Sequence, residues 1–214
     1  MTVNKTSVNA SGTNGVLEGN IENYMTKPEF KFTLNGKIAP STILQMVPKQ
    51  NRNLVKYQGQ MPFDADISGD LYTIKIAGEV KSSPQNYISV VDINTIKGLQ
   101  NNLKYDVTLK GNDVNLNDFS INSNNGKIAT IKGKIGSINL SNPTLNGISV
   151  SIPQKIGVTI APLDNLKLST VASVNVNGNI NNPVVTGNVA VTELNYPTFG
   201  LLINDLKINF KKEK

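Results

Sequence analysis

The 214-residue chain contains no cysteine, no histidine and no tryptophan. Without cysteine it has no disulfide, no thiolate nucleophile and no zinc-thiolate site. Without histidine it also lacks a common metal ligand and the usual general base near neutral pH. An enzyme built on this sequence would have to work with carboxylates, lysine, tyrosine, serine and threonine. It carries no Gly-Lys-Ser/Thr phosphate loop, no nucleophile elbow and no basic patch interleaved with aromatics that would grip nucleic acid. The expectation is therefore a protein that catalyses nothing and holds no metal or cofactor. No run of about 18 apolar residues is available to cross a bilayer as a helix. The opening MTVNKTSVNASGTNG lacks the charged-then-apolar order of a secretory signal.

What remains is an ordinary folded composition, 38% hydrophobic and 17% charged, with aromatics at only 6%. A core would then be built from Ile, Val and Leu, which suit a pleated, half-buried surface. The formal charge of +6 comes from lysines scattered at alternate positions, the pattern of a solvated strand face. From Tyr72 the chain reads YTIKIAGEV, with Tyr72, Ile74, Ile76, Gly78 and Val80 in one phase and Thr73, Lys75, Ala77 and Glu79 in the other. A period of two is a strand with one wet face. FKFTLNGKI (30–38), LKYDVTLKG (103–111), ATIKGKI (129–135), LNGISVSI (145–152) and ASVNVNGNI (172–180) repeat it. The chain is expected to be all-β, one antiparallel sheet over residues 1–214, with no composition shift that marks a domain boundary.

Glycine recurs within the apolar phase, and Gly69 and Gly78 are nine residues apart, as are Gly178 and Gly187. A turn midway, at Asn181-Asn182-Pro183 in the second pair, would set the two glycines opposite each other across a hairpin. Gly12 and Gly19 around Thr13-Asn14-Gly15 form a shorter version. Apposed glycines would notch the sheet and let it bend. One stretch, APSTILQMVPKQNRNLVKY (39–57), breaks the alternation, and residues 41–47 are read as a short helical insertion capped by Ser41 or Thr42 and ended by Pro48. Two polar motifs carry no chemistry. DVNLN (113–117) starts like a calcium loop but has Asp118 where the loop needs Gly and Asn124 where it needs an acid. FDAD (63–66) sets Asp64 and Asp66 on one strand face with nothing to complete a site.

The segment VNGNINNPVVTGNVAVTELNYPTFGLLINDLKINF (176–210) resembles the repeat of the AsmA-like family, most closely the periplasmic TamB proteins. Their repeat runs as a Gly-containing strand, an Asn-Pro turn, a second Gly-containing strand, a loop with Pro and Gly, and a strand opening with Asp-Leu. The matching residues are Gly178, Asn182-Pro183, Gly187, Pro197, Gly200 and Asp205-Leu206. A second pass is visible from Ile43 to Val80. Together the two cover about a third of the chain. The membrane helix that begins those proteins and the domain that ends them have no counterpart in this sequence.

The resemblance implies a long curved antiparallel sheet folded into an open apolar trough, a β-taco or repeating β-groove, that carries phospholipid acyl chains between inner and outer membranes. It also implies residence in the periplasm of a diderm bacterium, an inner-membrane anchor, and contact with an outer-membrane assembly protein of the TamA/BamA type, both through regions outside this chain. The in-phase residues expected to line the groove are Phe30, Phe32, Leu34 and Ile38, then Ile67, Leu71, Ile74, Ile76 and Val80. Leu103, Tyr105, Val107, Leu109, Ile131 and Ile135 follow, and Val174, Val176, Ile180, Val189 and Val191 complete the set. The bends are expected at Gly12, Gly19, Gly69, Gly78, Gly178 and Gly187. A structural or adhesive surface protein, a β-solenoid of parallel coils, is the other reading, and a closed sandwich would produce the same alternation.

Overall fold

The computed structural model describes residues 1–10, 12–39, 41, 44, 52, 55–83, 85–90, 101–123, 126–138, 142–160 and 166–211. Of the expected helical insertion at 41–47 only Ser41 and Leu44 are described, both helical, and the rest lies outside the described residues. Fourteen strands follow one another: β1 (Thr2–Ala10), β2 (Thr13–Glu22), β3 (Glu29–Ile38), β4 (Val55–Gln58), β5 (Met61–Gly69), β6 (Thr73–Lys81), β7 (Tyr87–Val90), β8 (Asn101–Lys110), β9 (Asp113–Ser123), β10 (Gly126–Gly136), β11 (Thr144–Ile160), β12 (Leu166–Asn179), β13 (Asn182–Tyr196) and β14 (Leu201–Phe210). A 3-10 turn, Pro197–Phe199, stands between β13 and β14. β4 pairs with β7 in a small separate sheet. The other twelve form one sheet in which each strand lies beside the next in sequence order. Among the described residues every ladder is antiparallel, so the parallel coils of a β-solenoid are not found. β1 and β14 each have one neighbour, so the sheet is open and not a barrel.

Tight turns set the register, and they correct the expected glycine pairing. The turn between β12 and β13 is Ile180-Asn181, flanked by the pair Asn179 and Asn182, and the Asn181 N–H donates to Asn179 Oδ1 at 2.9 Å. Gly178 therefore faces Pro183, and Gly187 faces Val174. Between β5 and β6, Asp70 Oδ1 accepts the N–H groups of Tyr72 and Thr73 at 2.8 and 2.9 Å, a side chain standing in for a backbone turn. Gly69 then faces Ile74, and Gly78 faces Ala65. Gly12 lies in the turn between Ala10 and Thr13, and Gly19 faces Val3. No expected glycine pair meets. In the β5–β6 and β12–β13 hairpins the register differs from the expected one by an even number of residues, and an even slip leaves every side chain on the same face. The alternation therefore could not distinguish the two registers. The Asp205-Leu206 step also falls inside β14 and does not open it.

A different rule governs the glycines. Five of them sit directly opposite an aromatic ring on the neighbouring strand. Gly19 faces Phe32, Gly69 faces Phe30, Gly36 faces Phe63, Gly78 faces Tyr105, and Gly187 faces Phe210. A Cβ on Gly19, Gly36, Gly69, Gly78 or Gly187 would drive into a backbone carbonyl oxygen of the adjacent strand. These strands therefore approach where only hydrogen fits, and the ring opposite covers the exposed backbone that glycine leaves. Bulges between β8 and β13 add local bends of their own.

Among the described residues only Met61, Ala65, Ile148 and Val191 are buried hydrophobics. The accessible surface of the chain is 13410 Å², against about 9,700 Å² for a compact monomer of this mass. Two results are expected. Solution scattering will give a radius of gyration clearly above the roughly 17 Å of a compact 214-residue chain. In chemical denaturation Gly78→Ala will cost about 2–4 kcal/mol, because backbone must move. Gly111→Ala, at φ 57° with open space around it, will cost only the left-handed penalty of about 1–2 kcal/mol.

Candidate functional site

Antiparallel partners share a face, so the registers trace one surface across the whole sheet. From β2 it runs through Leu17, Leu34, Ala65, Gly78, Tyr105, Phe119, Ile131, Val150, Val174 and Gly187 to Phe210 on β14. A neighbouring row runs through Phe32, Ile67, Ile76, Val107, Leu116 and Gly133. In the described ladders from β2 to β13 no charged residue is paired in this phase. The opposite phase carries Lys75, Lys104, Thr108 and Asn175 with the rest of the charge. The result is an unbroken apolar face eleven strands wide, from β2 to β14. All four buried hydrophobics stand on it, and the other described side chains on it are mostly half-buried.

Of the residues expected to line a groove, Phe30, Phe32, Leu34, Ile38, Ile67, Ile74, Ile76 and Val80 share this face. So do Leu103, Tyr105, Val107, Leu109, Ile131, Ile135, Val174, Val176, Val189 and Val191. Leu71 and Ile180 do not. Both lie in hairpin turns, 74% and 49% exposed, because each tight turn ends the strand just before the apolar phase reaches it. The reading also left out Met61, Phe63, Val114, Leu116, Phe119, Ile121, Ile148, Ile203 and Ile208, which the registers place on this face. Phase breaks hid several. Around the β8–β9 bulge Leu116 and Phe119 are three apart yet share the face. In β14 Ile203 and Leu206 do the same across Asp205, whose φ of 61° breaks the pleat.

Three hydroxyls within the face are already satisfied by the protein. Tyr105 lies across Gly78, and its hydroxyl donates to the Asp64 carbonyl at 2.6 Å. Thr170 Oγ1 donates to the Ala190 carbonyl at 3.2 Å, and Thr6 Oγ1 to the Asn4 carbonyl at 2.8 Å. Such a face offers contact without a directional anchor. Its rings include the stacked pair Phe30 and Phe32, with centroids 5.9 Å apart.

The outer face is knit by polar pairs. Lys134 bonds Asp113 at 2.6 Å, and this contact, then the Ser137 N–H, holds the Asp113 carboxyl below its usual range. Asn117 Nδ2 donates to Asp106 Oδ1 and Thr108 Oγ1 at 2.8 and 2.9 Å, and Asp66 Oδ1 accepts from Thr33 at 3.1 Å. Asp113 and Asn117 of the truncated calcium loop and Asp66 of the carboxylate pair thus sit in cross-strand contacts on the wet face.

Protein-family models, curated proteins and solved structures were compared with the chain, and none matches.

Burial first, then the Asp64 and Asp66 charges, raises the Tyr105 phenol from 10.0 to about 12. The folded value exceeds the unfolded one, so its stabilisation is complete below about pH 10 and is lost as pH rises toward 12. Tyr105→Phe is expected to flatten the fall of melting temperature between those pH values. An unchanged profile would place that loss elsewhere.

Proposed function

We propose that this chain is a lipid-conducting segment of a TamB-like protein of the bacterial periplasm, along whose apolar sheet face phospholipid acyl chains lie and slide toward the outer membrane. The observation that carries the reading is the continuous apolar face over eleven strands, from β2 to β14, most of whose described side chains are half-exposed. Monomeric proteins rarely leave so large an apolar surface without an occupant. Burying one methylene is worth about 0.8 kcal/mol, so an acyl chain outside a bilayer needs cover along its full length. Dispersion and hydrophobic contact have no preferred direction, so a chain held only by them can move from strand to strand. The self-satisfied hydroxyls of Tyr105 and Thr170 fit that use, since an unpaired hydroxyl would arrest a passing lipid tail. The resemblance of residues 176–210 to the AsmA-like repeat supplies the cellular setting, with the assembly-protein partner reached through other parts of the molecule.

The test contrasts an open path with a closed core. A carboxylate on an open face hydrates at little cost, whereas in a packed sandwich it loses several kcal/mol of solvation, a large share of a total stability of about 5–15 kcal/mol. Val176→Asp and Val189→Asp are therefore expected to melt within a few degrees of the parent while failing to complement a cell-envelope defect. A fall of many degrees in both would sink the conduit reading. Photo-crosslinkers at Ile76, Val107 and Val174 are expected to capture phospholipid, and those at Lys75, Thr108 and Asn175 are not.

A further inference from the structure

The hairpin turns at one side of the sheet form a connected lip. The β2–β3, β5–β6, β8–β9, β10–β11 and β12–β13 connections all fall on this side, because consecutive strands alternate in direction. Neighbouring turns are tied to one another. Lys27 meets Asp70 at 4.0 Å, the Gly111 N–H donates to the Tyr72 carbonyl at 3.3 Å, the Ile138 N–H to the Asn112 carbonyl at 3.0 Å, and the Ile180 N–H to the Pro143 carbonyl at 3.0 Å. Asn181 Nδ2 adds a bond to Asn142 Oδ1 at 2.6 Å. At the strand spacing of roughly 4.8 Å the lip runs for about 38 Å.

This lip carries outward-facing apolar side chains where turns are ordinarily polar. Six large hydrophobics among the described residues are at least 64% exposed, and four of them, Tyr24, Met25, Leu71 and Tyr72, stand on these turns. Met1, whose amino group donates to the Ile21 carbonyl, is a fifth on the same side. Ile138 and Ile180 continue the row at lower exposure. We propose that the lip is a membrane-contact edge, laid along the surface of a lipid bilayer with these side chains in the headgroup and upper acyl region.

Three features favour a bilayer over a protein partner. The residues form a row along the lip, Met1, then Tyr24 and Met25 on one turn, Leu71 and Tyr72 on the next, and Ile138 and Ile180 further on, and not a compact patch whose centre a rim of contacts could seal from water. Two anchors are tyrosines, whose ring and hydroxyl suit the boundary between apolar and wet phases. The charges of the lip include no basic cluster among the described residues: Lys27 lies against Asp70, whose carboxyl is held low by the Tyr72 and Thr73 N–H groups, and Glu22 and Glu29 face each other at the foot of the same turn as Lys27, so attachment rests on apolar insertion. The inference deepens the acyl-conduit reading, because a trough lying on its lip would take up or release tails sideways along its length. The contact itself is testable apart from that reading.

The chain has no tryptophan, so Tyr72→Trp and Phe199→Trp each introduce a single reporter, the second in the turn between β13 and β14 on the opposite side. With neutral phosphatidylcholine vesicles, Trp emission in the Tyr72→Trp variant is expected to shift to the blue and be quenched by brominated lipid, in low and in high salt alike. Emission in the Phe199→Trp variant is expected to stay that of exposed indole. The triple variant Met25→Ser/Leu71→Ser/Tyr72→Ser is expected to lose at least tenfold in vesicle binding while keeping its melting temperature and its binding of a fluorescent fatty acid. No blue shift in the Tyr72→Trp variant, equal shifts in both reporters, or binding abolished by salt would each overturn the membrane edge. Fatty-acid binding without vesicle binding would refute this inference and spare the conduit. Vesicle binding without fatty-acid binding would do the reverse.

Discussion

Every strand of the large sheet is held by its neighbours' ladder hydrogen bonds, and the architecture depends on that single interaction because no second layer is described against it. In a two-layer domain the hydrophobic core supplies most of the driving force and the ladders supply specificity. Here the described apolar side chains shield one another across the face, so each strand gains partial burial from the strand on either side. The arrangement resembles a repeat array, in which stability accumulates from nearest-neighbour contacts. Order in sequence and order in space coincide, which keeps each pairing local and its loop-closure entropy small.

Glycine and aromatic residues act together under that constraint. Where strands come too close for any side chain, as at Gly36 against the Asn14 carbonyl, a ring from the next strand, here Phe63, covers the gap. Phe30, Phe32, Tyr105 and Phe210 serve the same purpose elsewhere. A chain so poor in aromatics has placed most of its phenylalanines on this one task. The outer face contributes differently. Its exposed ion pairs, Lys127 with Asp118 at 3.5 Å among them, add little individually, but they keep that side wet and leave no ambiguity about which face is apolar.

The two proposed roles, an acyl path along the face and a membrane contact along one lip, rest on different residues of the same strands. Side chains in the strands' apolar phase form the face, whereas those just beyond the strand ends form the lip. Leu71 and Ile180 mark the boundary. Each continues the apolar phase by count, and each is turned out of the face by the hairpin that follows the last ladder pair.

Alternation by itself determined that the chain is all-β, that the strands run almost end to end, and which side chains share a face, as for Phe30, Phe32 and Leu34 or for Ile74, Ile76 and Val80. This was legible because the pleat has a period of two whatever the strand's neighbours are. The register was not legible, since an even slip conserves the pattern and only the turns at Asp70 and Ile180-Asn181 choose among the possibilities. The phase breaks at Asn117-Asp118 and Asp205 were hidden for a related reason, because a bulge is defined by two strands together. Whether the apolar face is open or packed was equally beyond the sequence, as both states bury the same alternate residues. What three dimensions decided was closure: β1 and β14 each keep a single neighbour, so the sheet has two free edges and is not a barrel.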